Sequence, residues 1–120
     1  MDTPTFRKSP PDLVARYRAI LAEHPEATER LMFGYPASFV GGNMATGLYE
    51  SDWHVRLGEA DLADLLALDG DRPLSPMPGR PMRAYAVLPA WIVADDAALH
   101  GWVGRALAFT ATLPPKTKGR

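Results

Sequence analysis

Apolar positions recur at helical spacing near both ends of the chain and fall into short, turn-broken runs between them. In residues 9–25, Leu13, Tyr17, Ile20, Leu21 and His24 share one helical face. Ser9 is placed to cap that helix, Pro10 suits its first turn, and Asp12 stands three residues after Ser9, as in a capping box. Pro25 ends the run, because proline disfavours helix at the residue before it. The aromatic-rich stretch that follows predicts four short strands, at about residues 31–34, 37–40, 44–50 and 53–57. Gly41-Gly42-Asn43 supplies the positive φ that a tight hairpin needs. Trp53, Val55 and Leu57 alternate with His54 and Arg56, which predicts the first three in the core and the other two in water. Gly47 inside a strand predicts a bulge or a close backbone approach.

The second half returns to helical spacing. Leu62, Leu65 and Leu66 define a second helix that Gly70 can end. A fifth strand is predicted in residues 82–89, with Ala84 and Ala86 on one face and Pro89 as its stop. A third helix carries Leu99, Trp102, Val103, Ala106, Leu107 and Leu113 as its apolar stripe, with Asp95 or Asp96 as cap. Gly101 and Gly104 beside that stripe weaken the helix unless something packs near them. The order α-β-β-β-β-α-β-α, with strands clustered early, predicts an α+β domain built on a mainly antiparallel five-stranded sheet.

Length and charge narrow the picture further. The 120 residues suit one domain, with a core at about residues 9–115 and flexible ends at 1–8 and 116–120. There is no cysteine, which excludes disulfides and thiolate zinc sites and fits a cytoplasmic setting. The opening residues lack an apolar run, so a secretory signal is not expected there, and no apolar run is long enough for a bilayer. The balance of 13 Lys+Arg against 14 Asp+Glu argues against sequence-independent nucleic-acid binding, leaving only the basic tail at 116–120 as a small footprint.

Candidate chemistry is sparse. His24, His54 and His100 lack metal-ligand spacing, and no metal or cofactor site is expected. Asp96 and His100 stand four apart on the third helix and are expected within reach of each other. The acidic residues Glu59, Asp61, Asp64, Asp69 and Asp71 lack the spacing of a calcium loop and read as a solvated face. Residues 73–85 hold four prolines, one glycine, Arg80 and Arg83. The segment contains no histidine or carboxylate to activate a nucleophile, so a stiff strap is expected rather than a catalytic loop. Arg80, Arg83 and Tyr85 are its candidate contacts for an anion or an acidic partner.

Four motifs carry a family resemblance: Met32-Phe33-Gly34, Gly42-Asn43-Met44, the run Pro76-Met77-Pro78-Gly79-Arg80-Pro81-Met82, and Leu113-Pro114-Pro115-Lys116. With them, residues 29–116 resemble the TfoX/Sxy amino-terminal domain family. The resemblance implies a compact α+β fold similar to secretion-chaperone-like domains. It makes Gly34, Gly42, Asn43, Pro78, Gly79 and Pro81 structural motif residues. The family is named for a competence regulator that works with a transcription activator and carries a second, carboxy-terminal domain. This chain ends at Arg120, so a small single-domain member is expected. The expected function is a non-enzymatic regulatory or protein-interaction module, binding a protein partner or itself as a homodimer. The alternative is a small-ligand domain or enzyme with a pocket near Arg80, Arg83 and Tyr85.

Overall fold

A computed structural model describes residues 7–68, 72–73 and 84–116. Helix α1 (Pro11–Leu21) leads into strands β1 (Thr28–Met32), β2 (Tyr35–Val40), β3 (Asn43–Tyr49) and β4 (Asp52–Arg56). Helix α2 (Glu59–Leu66), the two-residue strand β5 (Arg72–Pro73) and strand β6 (Tyr85–Val87) follow. The short helix α3 (Ala90–Val93) and the long helix α4 (Asp96–Ala111) complete the described part. Five antiparallel strands form in the predicted order, but the first lies at Thr28–Met32 rather than 31–34, because Phe33 and Gly34 make the turn. The sheet order is β1-β2-β3-β4-β6-β5, so β5 adds a short sixth strand at one edge. Among the described residues no helix is long and apolar enough to cross a membrane.

Hairpins set the register. Phe33 and Gly34 both take positive φ, the pairing demanded by a two-residue turn between twisted strands. That turn seats Met32 opposite Tyr35 and carries β1 along β2 without a slip. Gly42, at φ +82°, turns β2 into β3; a Cβ there would also meet Lys116 at 3.0 Å. The register shifts between Ser38 and Phe39, and Ala45 is the extra residue on β3.

The main core lies between the sheet and the helices. Tyr17 and Ile20 of α1, Leu65 of α2, Ile92 of α3, and Leu99, Val103 and Leu107 of α4 close over Leu48, Trp53 and Val55. Trp53, Val55 and Leu57 are buried as the alternation predicts. Several polar groups inside the core are linked in chains. Trp53 Nε1 donates to Thr46 Oγ1 (2.9 Å), which donates to the His54 carbonyl (2.7 Å). The Tyr17 hydroxyl donates to the Thr46 carbonyl (3.2 Å) and shares a 2.6 Å hydrogen bond with Ser38. Burial is the main cause that raises the pKa of that phenol.

Several expectations are corrected. Ser9 does not cap α1: its hydroxyl donates to the Glu50 carbonyl (2.6 Å), and Pro10 occupies the cap position with no side-chain bond. Leu66 is half-exposed, and Leu65 alone is buried among the residues of α2. Ala84 takes φ +71° ahead of β6 and so does not share a strand face with Ala86. Pro89 ends the strand as predicted but also opens the additional helix α3. Gly70 lies outside the described residues.

Candidate functional site

Strand β1 is the outermost long strand, and among the described residues no strand pairs with its outer edge. Every one of its residues is exposed. An edge of this kind is ordinarily protected by charge, proline or a bulge. β1 has no proline and no bulge. Its two charges are turned onto their own chain. Glu29 accepts from Arg18 of α1 at 2.9 Å and 3.1 Å, and those bonds raise the pKa of the guanidinium. Arg30 lies over the Phe39 ring at 4.2 Å, on the other face of the sheet.

Beside those charges the edge shows a run of apolar side chains to solvent. Leu31 is 62% exposed, Met32 38% and Phe33 86%. These three consecutive residues are most of the five large exposed hydrophobics among the described residues. Two open grooves flank the hairpin. One, of about 640 Å³, is lined by Glu26, Thr28, Arg30, Met32, Phe39 and Lys116. The other, of about 420 Å³, lies among Arg7, Lys8, Phe33 and Tyr35. Lys116 is held there because its N–H donates to the Gly41 carbonyl (2.8 Å), while Asn43 Nδ2 donates to the Pro114 carbonyl (3.0 Å). Thus Gly34 shapes the β1–β2 turn at one end of β2, and Gly42 and Asn43 shape the β2–β3 turn at its other end.

The second feature is the sheet face away from α1 and α4. His54 is buried there, at 5% exposure, and not in water as the alternation suggests. The reason is that this face is covered too: Tyr35, Ala37, Phe39, Tyr85 and Val87 on it are all buried. The imidazole packs edge-on to Tyr85 (5.9 Å) and against Gly47, the close approach that the strand glycine predicts. Burial pushes the His54 pKa down to about 4, and among the described residues its Nδ1 has no hydrogen-bond partner. The guanidinium of Arg56 stands 5.5 Å from the Tyr85 ring.

Of the residues singled out from the sequence, Arg80, Arg83, Pro78, Gly79 and Pro81 lie outside the described residues. Tyr85 is buried, and its hydroxyl donates to the Met44 carbonyl (3.0 Å). Burial raises that phenol's pKa, while Arg56 works in the opposite direction. Asp96 and His100 are not partners. Asp96 pairs with Arg16 at 2.7 Å, and His100 Nδ1 lies 3.1 Å from His24 Nε2. No group of three or more potential metal ligands occurs among the described residues. Sequence reading missed the β1 edge because apolar Leu31-Met32-Phe33 reads as core; its exposure depends on which strand ends the sheet.

The family model described as the TfoX N-terminal domain matches residues 19–110. That span includes the whole sheet and nearly all of α4. Comparison with curated proteins and with solved structures gives no match.

Proposed function

The chain belongs to the TfoX N-terminal domain family, and from that premise we propose that it is a non-enzymatic interaction module used in regulation. The observation that carries the reading is the exposed Leu31-Met32-Phe33 run on a sheet edge whose two charges are already engaged by Arg18 and Phe39 of their own chain. Hydrophobic surface of this kind is selected against unless something covers it. Main-chain pairing along such an edge supplies affinity, and side chains beside it supply choice of partner. The family's link to a competence regulator supports a regulatory setting. The test is affinity capture with the chain as bait, followed by reconstitution of the captured protein with purified chain. Binding that is lost in Phe33→Ser, with the melting temperature unchanged, supports the module. Saturable turnover of a metabolite by the purified chain overturns the non-enzymatic reading.

One observation favours a second reading, a small-ligand site on the covered sheet face. His54 brings a buried Nδ1, unbonded among the described residues, next to Tyr85 and Arg56, and perturbed buried groups cluster at ligand sites. A compound that raises the melting temperature of wild type but not of His54→Gln would favour it.

A further inference from the structure

We propose that the occupant of the β1 edge is a second copy of this chain, paired antiparallel to β1 about a two-fold axis through Leu31. This deepens the interaction reading and rests on it.

Hydrogen-bond phase comes first. The two-residue turn at Phe33-Gly34 closes on Met32↔Tyr35, so Met32, Arg30 and Thr28 direct their N–H and C=O groups to β2. The N–H and C=O of Glu29 and Leu31 therefore point outward, available to another strand. Two-fold antiparallel pairing places residues of the same sheet face opposite each other, which leaves few registers. Centring on Glu29 sets two carboxylates directly opposite, and centring on Arg30 sets two guanidiniums opposite. Like charges across a strand pair are destabilising. Centring on Met32 overlaps only residues 31–33. Centring on Leu31 pairs residues 29–33 of each copy and opposes no like charges. Leu31 then meets Leu31 of the partner subunit, Arg30 meets the partner's Met32, and Glu29 meets the partner's Phe33.

That register also uses what is exposed. It buries the Leu31 side chains against each other and brings each Phe33 to the end of the partner's strand where the groove of Thr28, Arg30 and Phe39 lies. Glu29 and Arg30 need not leave their own partners, because Arg18 and Phe39 hold them above and below the sheet rather than across its edge. The paired segment is short, so the dimer falls at the small end of interface sizes and its dissociation constant in the micromolar range.

Sedimentation velocity across the micromolar range tests this on the full chain. Wild type shows a concentration-dependent dimer. Leu31→Lys places a charge on the axis, and Leu31→Pro removes an outward N–H that the β1–β2 ladder does not use. Each weakens the dimer at least about tenfold with the melting temperature unchanged. Because the chain has no cysteine, Leu31→Cys joins two copies with a short thiol-to-thiol cross-linker, while Ala108→Cys on exposed α4 does not. A chain that stays monomeric throughout overturns the proposal, as does a dimer that persists in Leu31→Lys. A monomeric chain that still captures its partner through Phe33 sinks self-pairing alone, and the interaction reading stands.

Discussion

Gly47 of β3 and His54 of β4 are register partners, and the imidazole occupies the space where a Gly47 side chain would stand. A Cβ on Gly47 would come within 3.0 Å of the His54 ring and 3.1 Å of the Pro36 carbonyl oxygen. The ring is buried against Tyr85, and the carbonyl belongs to the neighbouring strand, so neither yields easily. Gly47→Ala is therefore expected to destabilise the fold by about 1–3 kcal/mol, the usual range for overpacking. Urea denaturation of Gly47→Ala, His54→Ala and the double variant checks it. Removing the ring should recover part of the loss, giving a non-zero coupling energy.

The same burial makes stability depend on pH. The folded-state pKa of His54 is about 4, below its ordinary 6.5. Between those values the unfolded chain binds a proton that the folded chain excludes, so stability rises with pH there. The contribution is fully present above pH 6.5 and is lost as pH falls toward 4, by up to about 3 kcal/mol. Denaturant midpoints across that window should fall with acidity in wild type. His54→Gln should flatten the slope; an unchanged slope would assign the effect to other groups.

His54 also marks where the sequence stops being legible. Its alternation with Trp53 and Val55 correctly separates the two faces of β4, but says nothing about whether the second face meets water. The hint lay in the neighbours: Tyr35-Pro36-Ala37-Ser38-Phe39 does not alternate, and β2 is buried along that whole length. Strands covered on both faces read as continuous apolar runs rather than alternating ones. Helices α1 and α4 were legible because their stripes are long and periodic. Their contacts were not, because tertiary packing brings His24 to His100 and Arg16 to Asp96 across more than seventy residues. For the candidate site, the turn glycines Gly34 and Gly42 were readable from local backbone demands. The exposure of Leu31 and Phe33 was not, since it follows from strand order.

Gly101 and Gly104 test the helix energetics directly. Both lie within α4, and a Cβ at either meets nothing within 4 Å. Neither glycine is needed for close packing among the described residues, so each leaves only its entropic penalty. Gly101→Ala and Gly104→Ala are each expected to stabilise by about 0.5–1 kcal/mol. A Cβ at one site would share no packing neighbour with a Cβ at the other among the described residues, so the double variant should be close to additive. Thermal melts of the three variants measure this, and a drop in melting temperature would show that a contact depends on the missing side chain.

Asp95 and Asp96 are adjacent carboxylates that do different work, although the sequence offers either as the cap of α4. Asp95 Oδ1 accepts from the N–H groups of Ala97 (3.0 Å) and Ala98 (3.2 Å), which would otherwise be unfilled donors in the first turn. Asp96 points to Arg16, and its side chain is 78% exposed. A lost cap costs about 1 kcal/mol, whereas an exposed ion pair contributes from nothing to about 1 kcal/mol and is screened by salt. Asp95→Ala should therefore lower stability by about 1 kcal/mol with little salt dependence. Asp96→Ala should lower it less, and the difference from wild type should shrink as salt is raised. If the two variants exchange these signatures, Asp96 is the cap and α4 begins one residue later.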